Sequence, residues 1–253
     1  MASTSIQSST HAQISGSDQT KETGGRIRNH ILNLLPRSEL EQVLERCEIV
    51  SVASKEIIYR RNEPIRYVYF PENTVISLVT ELENGDSVEA MTIGNDGFVG
   101  LALFHGVFDS GLKAIGQITG EARRMSAEDF GELATKCAGF HRLLHRYSQF
   151  VFETVAQSAG CNRLHVIEQR CARWLLMSED RVGRDTFDLT QEFLAEMLGV
   201  RRPGVTVAMG ILEKAGLISH GRGHITVVDR TGLENAACEC YKTIKERQVR
   251  LVN

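Results

Sequence analysis

Apolar positions change their period along the chain, and each change marks an element. Residues 1–25 are rich in Ser, Thr, Gln and Gly with almost nothing apolar; they have too little surface to bury and are expected to be disordered. Between Arg28 and Cys47, the groups Ile31, Leu32, Leu34, Leu35 and Leu40, Val43, Leu44 predict two short helices broken at Pro36. From Glu48 to about Arg124 the pattern shortens to β runs: Ile57–Tyr59, Tyr67–Phe70, Val75–Val79 and Val88–Met91. Glycines punctuate the second half of this stretch. Many short strands with closely spaced turns predict a small barrel or roll.

Helical periodicity resumes at Ser126 and runs to Glu179, with a break expected near Cys137–Gly139. A heptad fits residues 140–164. Phe140, Tyr147, Thr154 and Cys161 take one core position, and Leu143, Phe150, Gln157 and Leu164 the other. Such a seam suits a dimerising helix, although a long amphipathic helix packed on its own domain has the same pattern. His165-Val166 is the expected hinge, and Glu168–Met177 the first helix of a further domain, with Trp174 in its core.

The most informative stretch is 189–212. Thr190 is a good N-cap, and Phe193, Leu194, Met197 and Leu198 give one buried helical face. Gly199 stops that helix, and Pro203 sits where a second helix begins. Val205, Ala208, Ile211 and Leu212 turn the second helix toward the first, while Arg201, Arg202, Thr206 and Gly210 fall on the other side. Two helices, a tight turn and arginines at the start of the second predict a helix-turn-helix. A helical hairpin with surface arginines is the plainer reading. The sequel favours the first: Lys214-Ala-Gly216 ends the helix, and residues 217–228 read as strand, Gly-Arg-Gly turn and strand. That is a wing with Arg222 at its tip. Thr231-Gly-Leu-Glu then opens a last helix carrying Cys238, Cys240 and Tyr241.

Taken together, Gln157–Arg163, Arg173–Met177, Leu189–Arg202, Ala215–Ile218 and Arg222-Gly resemble the Crp/Fnr family of bacterial transcription regulators. Cys238-Glu-Cys-Tyr241 resembles one branch of it. The resemblance implies an α+β chain: an N-terminal β-roll of the cyclic-nucleotide-binding kind, a long dimerisation helix and a C-terminal winged helix-turn-helix. The expected divisions are a disordered segment 1–25, a sensor domain 26–136, a dimer helix and hinge 137–166, and a DNA-binding domain 167–253. It further implies a homodimer on an inverted repeat of double-stranded DNA, with RNA polymerase as a partner. Arg201 and Arg202 are the candidates for phosphate and base-edge contacts, Thr206 for base or phosphate, and Thr190 and Arg222 for the backbone. The best-known members carry Glu and a second Arg on the reading face. Here those positions are Pro203 and Val207, so a different operator is expected.

Charge changes this picture little. The 253 residues carry a net charge of −3, but from Arg201 onward nine Lys/Arg face five Asp/Glu, leaving +4 there and −7 before it. A basic end on an acidic body suits an electrostatic footprint confined to one domain. The six cysteines lack disulfide-framework spacing, and no segment is long and apolar enough to span a membrane. A reducing bacterial cytoplasm is expected.

Candidate cofactor chemistry is thin. The family's nucleotide-binding members use Gly-Glu-Leu and, some ten residues on, an Arg that takes the phosphate. The corresponding Gly97–Lys113 has Leu101 in place of Glu, no Arg occurs between Arg66 and Arg123, and Lys113 is the only Lys in that span. The span also holds eight carboxylates, beside which a buried phosphate would be disfavoured. Binding of cAMP or cGMP in the usual manner is therefore not expected. Iron–sulfur members carry an N-terminal cysteine cluster, whereas the first cysteine here is Cys47, so no such cluster is expected. Haem ligation by a single His or Cys stays open. Cys238 and Cys240, on a predicted helix, would point to different sides; a structural or redox role ranks ahead of a metal site. His141 and His145 make at most half of one, and no metal residue is nominated. The input signal is unassigned. The rival function is a small-molecule or redox sensor acting through protein contacts; no nucleophile elbow, Walker loop or dinucleotide fingerprint supports an enzyme.

Overall fold

A computed structural model describes residues 26–252 of the chain. The expectation for residues 1–25 lies outside them. Two short helices, α1 (His30–Asn33) and α2 (Arg37–Glu45), lead into seven antiparallel strands: β1 (Glu48–Val52), β2 (Ile57–Tyr59), β3 (Tyr67–Pro71), β4 (Val75–Glu81), β5 (Ser87–Ile93), β6 (Lys113–Ile118) and β7 (Gly120–Ser126). They form two sheets, ordered β1-β7-β3 and β2-β6-β4-β5. Alternating side chains such as Val52, Phe70, Ile76, Ile93 and Ile118 fill the space between them and are buried. A 3-10 turn, Leu101–His105, occupies the loop between β5 and β6.

Helix α3 (Ala127–Lys136) starts at Ser126, whose hydroxyl accepts from the Asp129 amide, and Cys137 separates it from α4 (Ala138–Leu164). An aromatic chain ties α4 to the sheets. The ring centroid of Phe98 lies 4.8 Å from Tyr147, 5.4 Å from Phe70 and 5.6 Å from Phe130. The Tyr147 hydroxyl donates to the Phe98 carbonyl and accepts its amide, each at 3.1 Å, so the buried phenol is fully satisfied.

This packing bears on which of the two readings of the α4 seam holds. Six of the eight heptad residues, Phe140, Leu143, Tyr147, Phe150, Thr154 and Cys161, are buried inside the single chain, so that part of the seam meets its own domain. A heptad records only that a face is covered, not by which chain. The apolar residues facing outward on α4 are Phe152, 69% exposed, Val155, 38%, and Leu164, 79%, the last of these a heptad position. No described helix is long and apolar enough to cross a membrane.

After two extended residues, His165 and Val166, comes α5 (Ile167–Val182), buried along most of its length. Strand β8 (Thr186–Asp188), helices α6 (Gln191–Leu198) and α7 (Arg202–Lys214), strands β9 (Ile218–Gly221) and β10 (His224–Val227), and helices α8 (Arg230–Ala236) and α9 (Cys240–Val252) complete the chain. Two features depart from expectation. The wing has a third strand, β8, on the far side of β10. The expected single last helix is two helices, broken at Ala237–Glu239.

Helix α5 joins this second half to the sheets through polar contacts. Arg181, 3% exposed, grips Asp96 with Nε and Nη2 at 2.9–3.1 Å and also donates to Thr92. Gly94 leaves room for the arginine stem, since a Cβ there would lie 2.5 Å from Arg181 Cβ. Gln117 Nε2 donates to Ser178 at 3.1 Å, and the Trp174 indole to Glu89 at 3.4 Å. Burial alone would raise the Asp96 carboxyl, but the Arg181 charge and hydrogen bonds outweigh it and hold the group below the usual range. Glu89 goes the other way: burial pushes it up to about 7 despite help from Ser77 and Arg173.

Two stability predictions follow from this seam. Asp96→Ala strands a buried guanidinium and lowers the unfolding free energy by about 3–5 kcal/mol; urea denaturation at pH 7 measures it, and a loss below about 1 kcal/mol would mean the pair carries little. For Glu89, the folded chain holds a proton that the unfolded chain has released between pH 4.5 and about 7. Its contribution therefore falls as pH rises through that window and is level above it. Glu89→Gln should remove that slope from a series of denaturation midpoints against pH.

Candidate nucleic-acid interface

The helix pair α6–α7 is built as its residues dictate. The Thr190 hydroxyl caps α6 by accepting the Phe193 amide at 3.2 Å, and Gly199 ends it at φ 61°. Gly199 has a second reason to be glycine: a Cβ would lie 2.8 Å from Val88 on β5. Across the same contact the Ser87 hydroxyl donates to Glu196 at 2.6 Å. Helix α6 is thus seated on the β4–β5 hairpin.

Helix α7 buries Val205, Ala208, Met209 and Leu212, the i, i+3, i+4, i+7 set. Ile211, expected inside, is 47% exposed, because i+6 falls off that stripe. Val207, at 60%, stands beside it one turn earlier on the outer face. Wing strands β9 and β10 pair antiparallel with His224 opposite Gly221, which leaves Arg222-Gly223 as a two-residue turn. Arg222 at φ 48° and Gly223 at φ 86° have the positive dihedrals that a primed hairpin turn requires.

Thr190, Arg202 and Arg222 line one groove of about 230 Å³ between the start of α7 and the wing, together with Gln191, His220 and His224. Arg201 lies elsewhere. It lines a larger cleft of about 820 Å³ facing Asp86, Ser87 and Arg170, between the β4–β5 hairpin and the helix pair. Thr206 is exposed on α7, but its hydroxyl is engaged by Gln191 Oε1 at 2.8 Å and the Arg202 carbonyl at 3.2 Å. Among the described residues, none of Arg201, Arg202 and Arg222 has a carboxylate within ion-pair distance. Exposed guanidinium groups without an internal partner are what a polyanion recruits.

Sequence reasoning missed Gln191, His220 and His224. His224 Nδ1 meets Asp188 at 2.5 Å and His220 Nε2 meets Glu213 at 3.4 Å. Their nearness in sequence to the Arg222-Gly223 turn was the available signal, since both flank the wing tip.

Cofactor expectations change in two places. Three of the eight carboxylates between Arg66 and Arg123 have ion-pair partners: Glu72 binds Arg123 at 2.6 Å, Glu81 binds Lys113 at 2.5 Å, and Asp96 binds Arg181. Cys238 and Cys240 do not diverge on one helix. They stand at the α8–α9 break, beside Cys161 and His165 from the end of α4, and all four donor atoms lie within 4.8 Å of one another. A hydrogen bond from Cys238 pulls the Cys161 thiol down to about 5 against the opposing effect of burial. His141 and His145 do meet, Nε2 to Nε2 at 3.1 Å, but the described residues bring no further metal ligand to them.

Comparison with known proteins agrees with this architecture. The family model of the Crp-like helix-turn-helix domain matches residues 169–236. No curated protein matches the sequence. Among solved structures, a CRP-family transcriptional regulator of Thermus thermophilus superposes with TM-score 0.62 at 21% identity, covering 74% of this chain and 96% of that one. FixK2 from Bradyrhizobium japonicum gives 0.61 at 18%, covering 76% and 98%. A Eubacterium rectale protein described as a transcriptional regulator of the Crp/Fnr family gives 0.61 at 16%, covering 82% and 97%. The chain thus carries a Crp-like helix-turn-helix domain at residues 169–236 and has the fold of these proteins.

Proposed function

We propose that the chain acts as a homodimer reading an inverted repeat, with the N-terminal turn of α7 in the major groove and the wing on the flanking backbone. The observation that carries this reading is the single groove formed by Thr190, Arg202 and Arg222. Arg202, at the first position of α7, reaches a guanine edge or phosphate; Arg222 and the Thr190 hydroxyl hold phosphates. Thr206 keeps Gln191 in place as much as it faces the DNA. Val207 and Ile211 present apolar surface suited to a thymine methyl. Arg201 serves the cleft against the β4–β5 hairpin, and reaches DNA only if that cleft opens.

The dimer contact lies on the outer face of α4, where Phe152, Val155 and Ala159 are exposed at i, i+3 and i+7. The sheets form the sensing unit, and His165-Val166 is the hinge to the reading unit. Lys113, the cation of the cassette region, is held by Glu81, so a cyclic phosphate would have to break that pair. The signal is therefore something other than cAMP or cGMP bound in the usual way.

Selection of sites from random duplex DNA should enrich an inverted repeat with the native protein. Arg202→Ala should relax it at one position per half-site, at a cost of about 1–3 kcal/mol. Arg222→Ala should weaken all sites alike and reduce the salt slope by about 1. Equal enrichment by Arg202→Ala would remove Arg202 from base reading, and no enrichment at low salt would remove the DNA-reading claim. Phe152→Glu with Val155→Glu should shift sedimentation from dimer to monomer with circular dichroism unchanged, since both positions are exposed; a persisting dimer would place the contact elsewhere.

A further inference from the structure

We propose that Cys161, His165, Cys238 and Cys240 form a four-ligand site for one zinc ion. Three thiolates and an imidazole are a common donor set for structural zinc, which takes four ligands tetrahedrally. The spacing suits one ion. Bonds of about 2.0–2.3 Å put tetrahedral ligands roughly 3.5–3.8 Å apart. Here the Cys161 and Cys238 sulfurs are 3.5 Å apart, and Cys240 Sγ is 3.6 Å from His165 Nδ1. Donor atoms this close leave no room for a multi-iron cluster.

The surroundings are those of a ligand set. His165 turns Nδ1 inward and places Nε2 3.2 Å from the Glu239 carboxylate, the outer partner that fixes the tautomer of a metal-bound histidine. The Gln157 amide donates to Cys240 Sγ at 3.1 Å. All three cysteines are nearly fully buried, Cys240 completely, and together they form a core cluster separate from the main one. Charge also balances. Three thiolates, a neutral imidazole and a divalent ion sum to −1. Arg170 and Arg173, each 7% exposed, lie close enough to feel the charge of Cys161 and Cys238. Both leave Nε buried without a hydrogen-bond partner. An anionic metal centre supplies the field these cations otherwise lack.

The ligands bracket the reading unit. Cys161 and His165 close α4 ahead of it, and Cys238 and Cys240 follow it, 77 residues separating Cys161 from Cys238. One ion ties both ends of the Crp-like domain together at the His165–Val166 hinge. This inference does not rest on DNA binding, and metal content is measured without DNA.

The test uses the full chain, purified under reductant from zinc-supplemented culture. Elemental analysis should find one zinc per chain. Cobalt(II) added to the metal-free protein should give thiolate-to-cobalt and tetrahedral bands that zinc displaces. Cys161→Ser, Cys238→Ser and Cys240→Ser should each lose the ion, Cys47→Ser should keep it, and Glu239→Gln should weaken binding by about 10-fold. Should the serine variants fail to fold, native protein still reports: zinc should shield these three thiols from alkylation and leave Cys47 unaffected. Folded, reduced chain that takes up no stoichiometric metal would overturn the proposal. So would metal retained when all three cysteines are serine, or a Cys161–Cys238 disulfide in protein kept reduced.

Discussion

The arrangement of the whole chain depends on the Arg181–Asp96 pair. A bidentate ion pair this deeply buried gains Coulomb energy in a low dielectric but gives up the hydration of both charges, so its net contribution to stability is small or even unfavourable compared with apolar residues. Its value is positional. The planar guanidinium accepts one orientation of the carboxylate, and the Thr92 hydroxyl completes the fork. Since Asp96 lies after β5 and Arg181 near the end of α5, one interaction sets how the Crp-like unit sits on the sheets. Gly94 and Gly97 serve it on either side: the first admits the arginine stem, and the second admits the Tyr147 hydroxyl.

Around that pair the two halves share one apolar core, and polar pairs cross between them. Gln117 meets Ser178, Glu89 meets Trp174, and Ser87 meets Glu196. Apolar seams tolerate sliding, whereas satisfied polar networks admit few alternatives. The β4–β5 hairpin touches the helix pair at Gly199 and borders the cleft that holds Arg201.

Local rules made much of this legible in the sequence. Caps, glycine stops and periodicity located the helix pair and wing, because Thr190, Gly199 and Pro203 act on their immediate neighbours. The strands between Glu48 and Arg124 were legible for the same reason. What escaped was anything decided by residues far apart. Asp96 and Arg181 are 85 positions apart, and nothing near either announces the other. The α4 heptad was legible as a covered face, but its pattern left open whether a partner or its own domain covers it, and six of its residues are buried within the chain. Cys238 and Cys240 looked divergent because a continuous helix was assumed, while the break at Ala237–Glu239 turns both toward α4. Thr190, Arg202 and Arg222 line one groove, while Arg201 lines the cleft beside the β4–β5 hairpin.

The wing tip shows what the fold tolerates for the sake of an exposed charge. Arg222 occupies a left-handed conformation that glycine or asparagine adopts with less strain, beside a glycine that already has a positive dihedral. Selection for folding alone pulls this position away from arginine, and under the proposed reading contact with the DNA backbone holds it there. A library enriched only for thermal resistance will therefore drift toward Asn or Gly at 222, yielding a sturdier domain with a blunted grip. The disagreement between the two screens would itself identify the residue as one retained for its partner.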